Sequence, residues 1–228
     1  MKISRLLLLL LFFKDMIYCA GWTLVGDTFT EDRGLCEFDI WAQSSSPAQS
    51  LGFYADCVVG PSTSLQLASN VSTQSLNNQA FVEVEQSFYT TPDRRFNLGI
   101  IAGDGITTNK KNHANNSYIY IPLSFQWLDE RLRTTFNIGW AGNDNFKKNL
   151  LTLSASASGN VAENIWIVGE VATNSDNSFS PYQSFYQVGA SFLIHQKNVA
   201  IDISYLNSFR ATGLGLFRLA IVFYGKFF

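Results

Sequence analysis

The sequence contains no apolar run long enough to cross a bilayer as a helix, which takes about 18 or more residues. Its longest, Leu6 to Phe13, stops at eight. Histidine occurs twice and cysteine three times in 228 residues, and no spacing among them and the carboxylates matches a metal site. The residues call for neither a metal nor another cofactor. Charge is also scarce, at 15% of residues with a formal net of −2. A nucleic-acid partner needs a basic footprint, so that class of function is excluded. What is present is short-range alternation of apolar and polar residues, 46% hydrophobic and 14% aromatic, with a mean hydropathy of +0.05. Such a mean arises when lipid-facing and lumen-facing residues alternate and cancel.

The chain opens like an export signal. Lys2 and Arg5 precede Leu6–Phe13, a run too short to span but suited to the hydrophobic part of a secretory signal. A cut after Gly21 leaves small residues at Cys19 and Gly21, and a cut after Ala20 is nearly as good, although Lys14 and Asp15 interrupt the region before either. Ile17 and Tyr18 are too bulky for Cys19 to be a lipidation site. The chain divides into a signal peptide over 1–21, a periplasmic lead-in or partial plug over 22–34, and a transmembrane barrel over 35–228. Losing Lys2, Arg5, Lys14 and Asp15 takes 16 basic and 18 acidic residues to 13 and 17, a net of −4.

The last sixteen residues, GLGLFRLAIVFYGKFF, set the pattern for the rest. Phe217, Leu219, Ile221, Phe223 and Phe227 form one apolar face at period two, while Arg218, Tyr224 and Lys226 lie on the other. A strand of this kind can cross a bilayer only within a closed barrel, because an open edge leaves backbone groups unsatisfied in lipid. Twelve such segments follow from alternation and turn chemistry: 35–43, 50–59, 64–72, 79–89, 95–102, 117–127, 131–141, 149–158, 164–172, 184–194, 198–206 and 213–227. The third and ninth are the faintest, and ten strands is the alternative count. The connections Gly60–Thr63, Thr90–Arg94, Leu128–Glu130, Gly159–Glu163 and His195–Lys197 are short. Gly103–Ser117, Gly142–Lys148 and Thr173–Gln183 are longer and rich in Asn, Gly, Asp and Ser. Short periplasmic turns opposite longer outer loops are the habit of outer-membrane barrels.

Facing residues in a hairpin must agree about which face is apolar. The turn after Trp127 then pairs Trp127 with Leu132, Leu123 with Phe136, Ile121 with Ile138 and Ile119 with Trp140, and sets Gln126 against Arg133 and Ser124 against Thr135. The turn after Ile194 pairs it with Val199, Phe192 with Ile201 and Val188 with Tyr205. In the last hairpin Asp202 is expected opposite Arg218, Phe217 opposite Ile203 and Leu219 opposite Ile201. A soluble sandwich separates faces equally well. Here Trp41, Phe88, Phe96, Trp127, Trp140, Tyr205 and Phe227 fall near strand ends, where interfacial girdles lie. Two features bend the pattern. Pro122 removes a ladder hydrogen bond inside a strand, which calls for a bulge or an irregular strand. Phe228 falls on the parity of Arg218 and Lys226, which calls for a bulge near Gly225 to turn it outward.

The first hairpin places Cys36 opposite Cys57, Phe38 opposite Ala55 and Ile40 opposite Phe53. Export to an oxidising compartment permits a Cys36–Cys57 disulfide; the alternative is two small apolar residues on the lipid face. On the polar parity lie Glu37, Asp39, Asp56, Glu83, Glu85, Glu170 and Asp202 against Arg133, Arg218 and Lys226. Closure of the last strand on the first brings Arg218 near Glu37 or Asp39. Such a cluster either lines a passage that selects solutes by charge or fills a narrow barrel with a salt-bridge network. Its acidic excess favours cations or neutral polar solutes over anions.

Enzymatic patterns fail. Outer-membrane phospholipases and lipid A deacylases set a His two residues before a nucleophilic Ser, whereas His113-Ala114-Asn115 and His195-Gln196-Lys197 lack the Ser. Asp104 with His113 is a faint echo of an outer-rim aspartyl-type protease. Asn70-Val-Ser72 and Asn115-Asn-Ser117 match glycosylation sequons without consequence in a bacterial outer membrane.

With its signal, its alternating strands and its final Phe228, the chain resembles Gram-negative outer-membrane β-barrels over the whole mature length. The run YIYIPLSFQWLDERLRTTFNIGW (118–140), then NIWIVGEVATN and QVGASF, is similar to small porin-like or transporter-like barrels of proteobacteria. The resemblance implies an all-β, closed, antiparallel up-and-down barrel in outer-membrane lipid. It also implies that Phe228 is part of the signal read by the barrel-assembly machinery. The function expected is passive diffusion of small polar solutes. A structural or surface-interaction barrel with a closed lumen is the alternative, and a hydrolase is a distant third.

Overall fold

The computed structural model describes residues 33–45, 48–72, 78–108, 113–143, 148–175, 181–194, 198–209 and 215–227. The expected signal peptide, residues 22–32, His195 and Phe228 lie outside them. Twelve strands follow one another: β1 (Leu35–Ser45), β2 (Ala48–Gly60), β3 (Thr63–Ser72), β4 (Asn78–Thr90), β5 (Phe96–Thr108), β6 (His113–Trp127), β7 (Leu132–Asn143), β8 (Lys148–Ala162), β9 (Ile165–Ser175), β10 (Pro181–Ile194), β11 (Val199–Ser208) and β12 (Leu216–Lys226). Each pairs antiparallel with its neighbours in sequence, and β12 pairs with β1. The result is a closed up-and-down barrel.

Closure explains the length of the strands. The shortest have ten residues and the longest fifteen, against about 9–11 needed to cross a bilayer at the usual tilt. Every ladder is occupied by a neighbour, so no edge is left over. The barrel hydrogen bonding begins at Gly34, whose N–H donates to the Val58 carbonyl and whose carbonyl accepts from the Phe227 N–H, both at 2.8 Å.

The faces are inverted relative to a soluble protein. Ile40, Leu51, Leu67, Phe136, Ile138, Val188, Leu219 and Ile221 are exposed on the outer surface, while Asn97, Ser124, Thr135, Gln187 and Ser191 are buried inside. Two aromatic clusters mark the ends. Tyr89, Phe96, Phe125 and Trp127 form a chain with centroids 5.1–6.1 Å apart at the turn end. Tyr186, Tyr205, Phe209 and Phe217 do the same at the loop end, at 4.8–6.3 Å. Trp41 is the exception to the expected girdle. Its register partner is Gly52, its ring lies on that glycine, and it packs against a buried cluster within the lumen. Parity decides this: Trp41 shares the face of Glu37 and Asp39.

The registers expected for β1–β2, β6–β7 and β10–β11 are those observed. The last hairpin differs by one step of the pleat. Asp202 faces Ala220, Arg218 faces Ser204, Phe217 faces Tyr205 and Leu219 faces Ile203. A shift of two residues preserves every face, so patterning by itself could not detect it. Nor is there a bulge near Gly225: the β1–β12 ladder runs unbroken from Ser44↔Phe217 to Leu35↔Lys226. Pro122 causes no bulge either. It pairs with Asn137 in a regular β6–β7 ladder, and the β5–β6 ladder merely lapses at Gly99 and Ile100 before resuming in register. Three of the bulges that do occur, at Val59, Phe88 and Val161, lie near the turn end. Each adds an exposed apolar residue to that rim.

The strands extend well into the expected outer loops. β5 extends to Thr108 and β6 starts at His113, so most of Gly103–Ser117 is strand. β9 likewise runs to Ser175 and β7 to Asn143. Outside the hydrocarbon both faces of a strand are wet, so Asn, Gly and Thr continue the ladder there and mimic loop composition.

Candidate functional site

The lumen wall brings charged residues together from several strands. Tracing the registers around the wall gives a continuous row, Tyr224–Glu37–Asp56–Gln66–Glu83–Gly103–Tyr118. Three carboxylates from β1, β2 and β4 therefore stand in one ladder row, and Glu85 stands one pleat away on β4. The Gln66 amide donates to Asp56 at 3.5 Å, the Ser64 hydroxyl to Glu85 at 3.0 Å and the Tyr118 hydroxyl to Glu83 at 2.5 Å.

A second group sits at the closure seam. Arg218 of β12 and Asp39 of β1 form an ion pair at 3.7 Å, both buried, and the guanidinium lies 4.9 Å from the Trp41 ring centroid. Asp202 is buried on neighbouring β11. Closure thus brings Arg218 to Asp39. Glu170 is buried on β9, between Ser156 and Gln187 in the ladder, and Arg133 lies on β7 between Gln126 and Ser158. Apart from Lys226 at the end of β12, the expected lumen residues therefore fall into the row with Glu85, the seam, and two separate positions.

Apart from Tyr224, the lumen aromatics are what sequence reasoning missed. Tyr54, Tyr118, Tyr120, Tyr224 and Trp166 share the inward parity with Trp41. A signal existed, because three of the inward aromatics face a glycine in the register: Trp41↔Gly52, Tyr118↔Gly103 and Tyr120↔Gly139. A Cβ on any of these glycines would collide with the ring opposite. Each glycine gives its partner room to lie down on the wall, the aromatic rescue seen in curved sheets. Tyr118 and Tyr120 stack with centroids 5.0 Å apart and planes 20° apart.

The lumen is not polar throughout. Leu193, Ala200, Ala220, Val222 and Tyr224 form a buried cluster on the β10–β12 wall, with Trp41 and Trp166 against it. Among the described residues no group of three or more His, Cys, Asp or Glu is placed to hold a metal. Asp104 and His113 are not brought together: Asp104 faces Ser117 and accepts its hydroxyl at 2.6 Å, whereas His113 faces Thr108. Cys36 and Cys57 are joined as a disulfide between β1 and β2.

Residues 7–212 match the family described as Uncharacterised conserved protein UCP029691. The chain belongs to that family. No curated protein matches it in sequence. Among solved structures it is similar to the KdgM porin in complex with disordered oligogalacturonate, at 14% identity and a TM-score of 0.66, covering 82% of this chain and 98% of that one. The NanC porin gives 11% identity and a TM-score of 0.61 over 82% and 98%. The COG4313 outer membrane channel from Pseudomonas putida F1 gives 8% and 0.57 over 89% and 100%. At these identities the likeness is one of fold.

Proposed function

We propose that the protein is an outer-membrane channel for passive diffusion of small polar solutes, favouring cations and neutral molecules over anions. The observation that carries this is the inverted closed barrel, apolar outside, with seven carboxylates on the inward parity (Glu37, Asp39, Asp56, Glu83, Glu85, Glu170 and Asp202) against Arg133, Arg218 and Lys226. Charge rings of one sign select the opposite sign of permeant. The fold it shares with the KdgM and NanC porins supports the channel reading, but the solute should differ. Oligogalacturonate is a polyanion, and an acidic lumen repels it.

The remaining assignments follow from this placement. Residues 1–21 are a cleavable signal peptide, 22–34 a lead-in, and Phe228 a mark for the barrel-assembly machinery; lipid covers the outer face. No catalytic role is assigned to any residue. Planar-bilayer recording of the refolded barrel tests the proposal: stepwise conductance with a K⁺/Cl⁻ reversal potential on the cation side is expected, and silence at all voltages overturns it. One observation favours a second reading, a structural barrel with a closed lumen. The apolar cluster of Leu193, Ala200, Ala220, Val222 and Tyr224 occupies space inside the wall. Silence in the bilayer would be its signature.

A further inference from the structure

Where β12 closes on β1, most inward side chains are shut away from water. Asp39 and Val222 have no exposure, Ala220 has 1% and Arg218 has 7%. Trp41 is the exception. It points inward among them, with Ala220 and Gly52 as its ladder neighbours, yet it stays only half-buried. The indole is therefore the layer of this wall that meets the lumen. It leans over β2, because a Cβ on Gly52 would collide with its Cε2, Cζ2 and Cη2. Glycine leaves that stretch of β2 bare, and the six-membered part of the ring occupies the space. On the β12 side the Arg218 guanidinium sits 4.9 Å from the ring centroid and is itself paired with Asp39. The apolar cluster that includes Ala220 packs against the same indole. Attraction between a cation and an aromatic ring strengthens where both are desolvated.

We propose that Trp41 sets the width of the passage beside the closure seam, and that Gly52 is the positioning residue that keeps its ring drawn back against the wall. The proposal rests on the reading of the lumen as a channel and names the residue that limits solute size there. Side chains on a strand stand roughly perpendicular to the sheet, so an upright indole projects toward the barrel axis. Leaning over Gly52, it takes up less of the cross-section. Any side chain at position 52 removes that room. The backbone of β2 cannot retreat, since Gly52 is in register with Trp41 on one side and Asn70 on the other. Arg218 and Ala220 fill the β12 side. The direction left for the ring is into the lumen. Neither Trp41 nor Gly52 is charged, so changing them moves the size limit and leaves the balance of charge in the passage as it was.

The test is planar-bilayer recording of the full mature barrel in potassium chloride, with poly(ethylene glycol)s of graded size as probes of the passage. Trp41→Ala should raise the single-channel conductance by at least about a third and admit larger polymers. Gly52→Ala should lower it by a similar factor and exclude polymers that the wild type admits. Gly52→Ala combined with Trp41→Ala should behave as Trp41→Ala, because the added Cβ then has no ring to displace. The K⁺/Cl⁻ reversal potential should be the same in all four proteins. Should Gly52→Ala not fold by itself, it should fold once Trp41→Ala is added, and failure there overturns the role of Gly52. An unchanged conductance step and polymer cut-off in Trp41→Ala overturns the assignment of Trp41. A Gly52→Ala step as large as the wild type's, or a combined variant that keeps the narrow step, overturns the role of Gly52. A silent wild type overturns the channel reading and the width assignment with it, whereas a conducting wild type with indifferent variants overturns the width assignment alone.

Discussion

Arg218 and Asp39 meet across the seam that closes the barrel, although they are not partners in its ladder. Arg218 faces Gln43 on β1, yet its Nη2 reaches back to Asp39 Oδ2 at 3.7 Å, passing over the Trp41 ring at 4.9 Å. Asp39 is fully buried and Arg218 nearly so. Removing Arg218 deprives the fully buried Asp39 of its counter-charge, at a cost of about 3–5 kcal/mol. Arg218→Ala should lower the unfolding free energy by that order, and Asp39→Ala by less, because Arg218 keeps its other acidic neighbours. Equilibrium urea unfolding in detergent would show it, and an unchanged midpoint for both variants would mean that the pair does not secure the seam.

The inward Gly139 and the outward Gly169 differ sharply in what they can tolerate. A Cβ at Gly139 would meet the Ile119 carbonyl oxygen as well as the Tyr120 ring, and backbone cannot swing aside. Gly169 has nothing within 4 Å. Gly139→Ala should therefore destabilise by about 1–3 kcal/mol, the usual range for overpacking. Gly169→Ala should be neutral or stabilising by up to about 1 kcal/mol, because it restricts the unfolded chain. The pair is read in one unfolding experiment, and equal effects would contradict the packing described.

The turn between β6 and β7 holds three successive non-glycine residues with positive φ, Leu128 at 53°, Asp129 at 52° and Glu130 at 67°. A left-handed conformation costs an ordinary residue about 1–2 kcal/mol, and glycine avoids the steric part. Glu130→Gly should raise stability by about 1 kcal/mol, offset in part by the greater freedom of glycine when unfolded. A lower midpoint in urea would show that Glu130 makes compensating contacts.

Thiol counting tests the disulfide and the signal peptide together. If the proposed signal peptide is cleaved, maleimide labelling of the denatured, unreduced mature protein should find no free thiol, because Cys36 and Cys57 are bridged and Cys19 leaves with residues 1–21. One label would mean that Cys19 is retained; two would mean that the bridge is absent. Cys57→Ser should destabilise by about 3 kcal/mol for a loop closed over 21 residues.

Sidedness can be read with single cysteines at Thr107 and Lys197 on a background of Cys36→Ser and Cys57→Ser. Only the Thr107→Cys variant should label in intact cells with an impermeant reagent. Labelling of both would overturn the placing of the turn end in the periplasm.

The sequence by itself determined that the chain is built of alternating strands and which face of each is apolar, with twelve strands favoured over ten. Period-two alternation is a local property, and a lipid-facing side chain must be apolar whatever lies across the barrel. Thus Glu37, Asp56, Glu83 and Arg218 could be placed inside, and Cys36 opposite Cys57, from the chain alone. The tertiary structure decided what parity leaves degenerate. A two-residue slip keeps every face, so only the closed ladder could set Arg218 opposite Ser204 instead of Asp202. Closure also brought β12 to β1 and so gave Arg218 to Asp39. Trp41 and Tyr118 looked like ordinary aromatics until the register put a glycine beneath each. Which residues of a shared face touch depends on register, tilt and closure, and those are fixed by the whole circle of strands at once.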